Sequence, residues 1–325
     1  MYVELHCHSY FSLLDGVSAP EALVARAADL EMPALALTDH DALYGVVPFW
    51  RAAQAAGIKP IFGAEVTVKA EEKEGNKEKR EGGNRERAAD APAMHLTLLA
   101  ESQAGYANLS RLITAARGRC AKGAALATWD DLAAHRAGLI ALSGCRRGAI
   151  SQHLAAGRFD AAAQAAYQLQ ELFGPRNFFV ELQQQRRPGD LRLARQLTAL
   201  ATEHKFPVVA TNNVHYAARA GHRLHDVLTA IRCLSTLDEC HHQRRGNSEA
   251  YLKSAAEMMA LFADQPDAVM RTAEIASRCQ VDLRYGVQTL PVFPTPLTGG
   301  GAVSAVGVAP DLAEISAAPD SQLAH

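Results

Sequence analysis

The chain has 325 residues, of which 48% are hydrophobic, and its formal net charge is -2 at pH 7. This length and apolar content suit one large domain with an appendage, and the charge gives no overall basic footprint for nucleic acid. The six cysteines are scattered without a disulfide framework, and neither a signal peptide nor a membrane-length apolar run occurs. The composition therefore predicts a soluble, cytoplasmic protein without membrane association.

Seven apolar, strand-like segments alternate with helix-like stretches, and most of them end in a polar residue that can bind a metal. Parallel strands covered on both faces are almost continuously apolar. The alternation predicts an α/β fold, either a barrel or an open sheet, with its active site at the carboxyl ends of the strands. The segments are 3–8, 34–40, 60–65, 95–100, 139–145, 178–182 and 208–215.

Helices are predicted between these segments. Ser18 and Glu21 have the spacing of a capping box, which predicts a helix through about residue 30. A second helix, 46–56, is stopped by Gly57. Further helices are expected between the later strands at 106–116, 160–173 and 190–203, and the apolar spacing beyond position 215 predicts only helices, at 223–233, 254–262 and 266–279.

The chain also contains segments without a core pattern. Residues 69–87 are almost entirely Lys, Glu, Arg, Asn and Gly. Because both signs of charge are mixed there, a solvated disordered insertion is favoured over a nucleic-acid-binding arm. The predicted organisation is a barrel at 1–216 with the insertion at 69–93, a helical connecting segment at 217–289, a proline-rich linker at 290–296 and a disordered tail at 297–325.

Metal-binding residue types recur at the ends of the strand-like segments. His6 and His8 share one face of a strand because side chains alternate with period two, so they can chelate one divalent ion. Such a pair alone is typical of an ordinary surface, but the recurrence favours a metal-dependent hydrolytic site in which a carboxylate such as Glu65 bridges two cations. The other candidate donors are Asp15, His40, His95, Cys145 and His215.

Two of these donors leave alternatives open. His95 begins its segment, so either that strand runs in reverse or the side chain reaches in from the preceding loop. Cys145 suits either a ligand or a buried apolar thiol, and its place after Gly144 at a strand end favours a ligand. The other histidines fall on predicted helices, loops or the tail and are assigned no role: His135, His153, His204, His222, His225, His241, His242 and His325.

Other catalytic signatures are absent from the sequence, which has no G-x-S-x-G elbow, Walker loop or C-x-x-C pair. The arginine pairs at 146–147, 186–187 and 244–245 are typical of solvated surface. The first two pairs follow strands and could face a phosphate at the barrel mouth. Arg146 and Arg147 are therefore candidate substrate-phosphate ligands.

Five motifs are specific in combination: HCHSYFSLLDG at 6–16, TDHD at 38–41, GAE at 63–65, LSGC at 142–145 and TNNVH at 211–215. Together they resemble the PHP (polymerase and histidinol phosphatase) domain. More narrowly, they resemble the amino-terminal PHP domain of bacterial DNA polymerase III α subunits, and most of all the error-prone branch. The resemblance covers residue 1 to about 296, where the chain is similar to the lead-in to the polymerase palm.

The resemblance implies a distorted, TIM-like seven-stranded β/α barrel with up to three divalent ions, Zn or Mn. Asn213 stands where the family pattern has an aspartate, and a neutral amide is a poorer ligand, so its site is predicted to be weak or lost. The implied ligand sets are His6, His8 and Glu65 with the residue at 213; Glu65, His95 and Cys145; and Asp15, His40 and His215.

The resemblance also implies a role in DNA replication and repair, including translesion synthesis after DNA damage. The parent family is a nucleotidyltransferase, but the chain lacks its polymerase core. The chemistry implied here is metal-dependent phosphoester hydrolysis, including 3′–5′ exonuclease action, with DNA or polymerase and repair subunits as partners. The alternatives are a free-standing histidinol-phosphatase-type enzyme, which the helical segment and linker disfavour, and a degenerate structural scaffold, which Asn213 favours.

Overall fold

Six strands form one curled sheet whose spatial order follows the chain. The computed structural model describes residues 1–70 and 93–284. All neighbouring strands pair in parallel except where β3 meets β2 and β4. The expected α/β class is thus confirmed. The strands are β1 (Ala34–Leu37), β2 (Lys59–Lys69), β3 (Ala93–Ala100), β4 (Leu139–Leu142), β5 (Phe178–Gln183) and β6 (Val208–Thr211).

The reversed direction of β3 decides between the two readings of His95. In the antiparallel ladder Glu65 pairs with Thr97, and His95 pairs with Thr67. Side chains two residues apart share a face, so His95 lies on the same face and at the same end as Glu65. The reversed-strand alternative is confirmed. Lys69 and Ala93, at the ends of the predicted insertion, are paired strand residues, while 71–92 lie outside the described residues.

The amino-terminal segment, predicted as a strand, makes only isolated bridges. Glu4 bridges Leu35, and Cys7 bridges Val214 beyond β6, so the segment contacts both edges of the sheet. It forms no continuous ladder because side chains take its backbone donors. The N–H of His6 donates to Glu4 Oε1 at 2.9 Å, and that of Cys7 donates to Thr38 Oγ1 at 2.9 Å. Within 1–70 and 93–284 the sheet thus has six strands where seven were predicted.

The helices surround the sheet and follow the predicted order. Two further helices were not predicted, α4 and α5, each only seven residues long. The helices are α1 (Pro20–Asp29), α2 (Val46–Ala56), α3 (Gln103–Gly118), α4 (Trp129–His135), α5 (Ala149–Ala155), α6 (Phe159–Phe173), α7 (Asp190–His204), α8 (His222–Arg232), α9 (Ala255–Leu261) and α10 (Pro266–Arg278).

Two predictions about helix ends have opposite outcomes. Gly57 ends α2 with φ of 66°, a left-handed conformation that glycine adopts without strain. The predicted capping box at Ser18 is wrong: α1 is capped by Ala19 without a side-chain bond. Ser18 Oγ instead accepts from the backbone N–H of Ala217 at 2.9 Å. A long-range contact has thus replaced the local cap.

Helix α10 lies against the amino-terminal ends of the parallel strands. Thr272 Oγ1 accepts from the N–H of Val3 at 3.0 Å, and Arg271 donates to the carbonyl of Val208 at 2.6 Å. Lys59 donates to the carbonyl of Ala276 at 2.7 Å. The opposite, carboxyl end of the strands remains for the polar side chains. The proposed linker and tail, 290–325, lie outside the described residues, and the division into domains stays a prediction.

None of the helices within 1–70 and 93–284 combines the length and apolar character of a membrane-spanning segment.

Candidate metal centre

One buried carboxylate is surrounded by four imidazoles. The carboxylate oxygens of Glu65 lie 3.5 Å from His6 Nε2, 3.6 Å from His8 Nε2, 3.3 Å from His40 Nε2 and 3.1 Å from His95 Nδ1. Glu65 is 3% exposed, so water does not screen these groups. The strands and the amino-terminal segment therefore bring five of the predicted donors together.

His6 is oriented by a second buried carboxylate, Glu181 on β5. The distance from His6 Nδ1 to Glu181 Oε1 is 2.7 Å, and a carboxylate can only accept, so Nδ1 carries the proton. Nε2 is then the atom presented to Glu65. Burial alone lowers the pKa of His6, but Glu181 and Glu65 outweigh it and raise the pKa to about 10. This position attracts positive charge, whether a proton or a metal ion.

His8 is oriented by a chain of hydrogen bonds through Ser12. The Ser12 hydroxyl donates to Asp39 Oδ1 at 2.7 Å, so it can only accept from His8 Nδ1, which lies 3.1 Å away. His8 Nε2 therefore presents a lone pair to Glu65. Burial and the neighbouring His215 hold the pKa of His8 well below its usual range, so this imidazole is neutral, the form that binds metal.

Several of the buried atoms without hydrogen-bond partners belong to the candidate metal ligands. Leaving a buried polar atom unpaired costs about 1–3 kcal/mol, so such atoms are rare in native structures. A divalent cation between a carboxylate and imidazole nitrogens would satisfy them, and the donor set suits Zn or Mn. Among the described residues these atoms include Nε2 of His6, His8 and His95, Oε1 of Glu65 and Oδ1 of Asn213.

In the described part of the chain, two groups of donors are close enough to hold an ion, and they share Glu65. The first consists of His6, His8 and Glu65, and the second of His40, Glu65 and His95. The first contains three members of the first implied set, without the residue at 213. The second differs, because His40 takes the place expected of Cys145, although Cys145 Sγ lies 3.5 Å from His95 Nδ1. Burial, with Glu65 nearby, raises the pKa of the Cys145 thiol well above its usual range.

The expected third set is arranged differently. Asp15 Oδ2 lies 3.0 Å from His215 Nε2, but Arg245 Nη2 lies 2.7 Å from the same nitrogen, and Arg232 Nη1 lies 2.9 Å from Asp15 Oδ1. Burial and the Arg245 guanidinium lower the pKa of His215 to about 4. Asp15 and His215 thus lie together as expected, but two arginines contact them, and among the described residues no metal-ligand group of three or more contains either.

Asn213 lines the same pocket and is nearly buried. Its φ of 47° is left-handed, a conformation that asparagine adopts more readily than most residues. Its Nδ2 donates weakly to Gln183 Oε1 at 3.4 Å, and its Oδ1 is one of the unpaired atoms. The side-chain oxygen of Asn213 therefore lies in the pocket without a hydrogen-bond partner among the described residues.

Most of the candidate donors, but not the fully buried His6 and His8, line a cavity of about 830 Å³. Arg146 and Arg147 both line it, as expected of substrate ligands. Arg146 is anchored by Pro188, whose carbonyl accepts from it at 2.8 Å, and Asp190 lies 3.4 Å from its Nε. Seven Lys and Arg side chains but only four carboxylates line the cavity, so it suits an anionic ligand.

Two pocket residues and one buried residue beside the donors were missed or misread from sequence. His225, assigned no role, lines the cavity 3.8 Å from Asp15 Oδ1. Arg245, taken as solvated surface, contacts His215. Glu181 lies inside an apolar segment and was not assigned as a site residue, although a carboxylate within a buried strand was a signal that could have identified it.

Comparisons with known proteins agree with these motifs. The model of the PHP domain matches residues 4–185. An error-prone DNA polymerase from Symbiobacterium thermophilum is 42% identical over 91% of this chain and 26% of its own length. DNA polymerase III subunit alpha from Pseudomonas aeruginosa is 35% identical over 91% of this chain and 24% of its own length. The chain thus spans about a quarter of these relatives.

Among solved structures, an amidohydrolase from Chromobacterium violaceum aligns with a TM-score of 0.42 and 17% identity, covering 66% of this chain and 88% of that one. The family match extends over more than half of the present sequence and includes four of the five motifs. The chain therefore belongs to the PHP domain family, and it is homologous to the amino-terminal part of error-prone DNA polymerases and of DNA polymerase III subunit alpha.

Proposed function

We propose that this chain is a metal-dependent phosphoesterase module related to DNA polymerases, with its active centre at Glu65. The observation that carries this proposal is the group of four imidazoles within 3.6 Å of one buried carboxylate. A purely structural cluster would be expected to pair its buried nitrogens with each other or with the backbone. Here Nε2 of both His6 and His8 lacks a hydrogen-bond partner.

The residues divide into metal ligands, orienting groups and substrate ligands. His6, His8 and Glu65 would hold one ion, and His40, Glu65 and His95 another, with Cys145 beside the second. Bound divalent ions supply a nucleophile at neutral pH and neutralise charge on a phosphoryl group. Glu181 and Ser12 fix the imidazole tautomers, and Arg146 and Arg147 bind phosphate oxygens from the cavity lining.

The proposal also includes a closed barrel and a connecting helical segment. The amino-terminal segment bridges both sheet edges, which supports a closed, distorted seven-stranded barrel with the two histidines at its seam. The helices α8 to α10 follow the strands, and we propose that they form the predicted connecting segment. On this basis, DNA and polymerase or repair subunits are the proposed partners, and 3′–5′ exonuclease action during replication, repair or translesion synthesis is the proposed reaction.

The test is hydrolysis of a 5′-labelled single-stranded DNA by the full chain with Mn or Zn. We expect shortening from the 3′ end in the parent, loss of activity in Glu65→Gln, and no change in Glu171→Gln, an exposed carboxylate on α6. Histidinol phosphate serves as a competing substrate: faster turnover of the monoester would favour the free-standing phosphatase. Metal binding without turnover of either substrate would overturn the proposal.

A scaffold is the second candidate, and Asn213 is the observation that favours it. The neutral amide stands where the resembled pattern has a carboxylate, and a degenerate centre needs no ions. Elemental analysis of the purified chain distinguishes the two functions. Bound divalent metal supports the phosphoesterase, whereas a metal-free protein that also fails to bind added Mn or Zn supports the scaffold.

A further inference from the structure

The Asp15–His215 corner of the pocket is neutralised by the protein's own cations. The imidazole of His215 donates from Nδ1 to the Asn213 carbonyl at 2.9 Å, because a carbonyl can only accept. Its Nε2 lies 3.0 Å from Asp15 Oδ2 and 2.7 Å from Arg245 Nη2, and it accepts from the guanidinium, which can only donate. Arg232 Nη1 donates to Asp15 Oδ1 at 2.9 Å. A lone pair engaged by a guanidinium is not available to a metal ion.

Arg245 is held in this position by other buried groups. Its Nη1 donates to Gln185 Oε1 at 2.8 Å, and its Nε lies 3.4 Å from His225 Nε2. The amide of Gln185 is itself fixed, because its Nε2 donates to the carbonyls of Asn212 at 2.6 Å and Asn213 at 3.0 Å. The guanidinium therefore occupies a built position and is not a surface side chain that happens to reach inward.

The Glu65 side of the pocket differs from the Asp15–His215 corner in the partners of its imidazole nitrogens. There, the Nε2 atoms of His6, His8 and His95 have no hydrogen-bond partner among the described residues. At the opposite corner, the equivalent nitrogen of His215 is engaged by Arg245. One side of the centre presents imidazole nitrogens without hydrogen-bond partners, which suit cations that displace any proton they carry, and the other presents guanidinium N–H groups, which suit anionic oxygens.

We propose that Arg245 takes the place of a third divalent ion, so that the centre holds two ions built on Glu65 and its Asp15–His215 corner receives a phosphate oxygen of the substrate. This inference rests on the proposed function. A guanidinium supplies a fixed positive charge that neither dissociates nor needs loading. It also carries several N–H donors in one plane, so one N–H can stay on His215 while others face a phosphoryl oxygen.

The arrangement of nearby arginines supports an anion at this corner. Burial, followed by the charges of Arg245 and Arg146, lowers the pKa of Arg187 from its ordinary value. All three arginines line the cavity. An anionic phosphate relieves their repulsion, whereas a further cation would add to it.

The experiment measures metal stoichiometry in the full chain. The parent, Arg245→Met and Arg244→Met are dialysed against excess Mn²⁺, freed of unbound ion and analysed for manganese per chain. Arg244 is the matched control, because it pairs with Asp226 at 3.0 Å and is not part of the pocket lining. We expect two ions in the parent and in Arg244→Met, and three in Arg245→Met, where His215 Nε2 is released.

Asp15→Asn provides a second test that leaves Arg245 in place. If Arg245 occupies the corner, this variant still binds two ions, whereas a metal ligand at Asp15 would make it bind one fewer than the parent. Either of two results would overturn this inference and leave the proposed function intact. One is three ions in the parent, and the other is two ions in an Arg245→Met protein whose thermal unfolding matches that of the parent. No bound ion in any protein would overturn the proposed function as well.

Discussion

Replacing Glu181 by glutamine tests whether outer hydrogen bonds prepare His6 to bind metal. Glu181 is 1% exposed, and its Oε1 receives His6 Nδ1 and Gln183 Nε2, each at 2.7 Å, together with the hydroxyl of Thr211. Glutamine has nearly the same shape and can still accept at that oxygen. The substitution therefore removes the charge while conserving the packing.

The expected loss of metal affinity depends on the groups that remain near His6 after the substitution. Removing an outer partner of a metal-binding histidine lowers affinity by about 10–100-fold, which corresponds to about 1.4–2.7 kcal/mol. Thr97 Oγ1 at 3.2 Å offers a fallback acceptor for Nδ1. We therefore expect a loss near the middle of this range, about 30-fold.

Calorimetric titration of the metal-free chain with Mn²⁺ measures this loss, and Glu171→Gln on α6 is the surface control. The metal-free variant should also have a lower His6 pKa by NMR titration. Because Glu181 together with Glu65 raises the folded pKa of His6 to about 10 from 6.5, these pairings stabilise the metal-free protein fully below pH 6.5, and this stabilisation disappears as pH rises through about 10. Unchanged affinity together with an unchanged pKa would refute the reasoning.

Three further predictions concern ion binding and the backbone that supports it. Carboxylates outweigh burial and raise the pKa of His6 to about 10 and that of His40 to about 9, so Mn²⁺ binding at pH 7 should release protons and tighten as pH rises toward 9. Calorimetry in two buffers of different ionisation enthalpy checks this, and equal heats would contradict it. Asn213→Asp should raise Mn²⁺ affinity by about tenfold in equilibrium dialysis, since a carboxylate oxygen is a better donor than an amide; parental affinity would show that the amide is not limiting. Gly144→Ala should lower thermal stability markedly, because its φ is 84° and the added Cβ would lie 2.3 Å from a carbonyl oxygen of β3. Gly157→Ala is the control, because Gly157 has φ of 71° and open space around it, so an added Cβ causes backbone strain without a steric overlap. Equal losses of thermal stability in the two variants would contradict the proposed overlap at Gly144.

The sequence alone identified the fold class and most of the donors, because both depend on local patterns. Continuous apolar segments separated by amphipathic stretches allow few arrangements other than a sheet covered by helices. His6 and His8 share a face by strand periodicity, and Glu65 ends an apolar segment. Helix α2 was predicted over its observed span because Gly57 is a local stop signal.

The tertiary structure decided the direction of β3 and the identity of the groups around the donors. Position along the chain could not say whether His95 faced the site, since that depends on the antiparallel pairing of β3 with both neighbours. Glu181 became an orienting group for His6 only through the order of strands in the sheet. Ser18 likewise accepts a hydrogen bond from the distant backbone N–H of Ala217, although a local helix cap was expected.

Arg245 shows the limit of sequence reasoning most clearly. In the sequence it is one of two adjacent arginines in a polar stretch, which is the usual composition of solvated surface. Only the folded chain brings its guanidinium to His215, 30 residues earlier, and holds it there with Gln185. Sequence patterns report which donors a chain carries, but long-range packing decides whether a metal ion or an arginine neutralises them, because that outcome depends on distances of a few ångströms between remote segments.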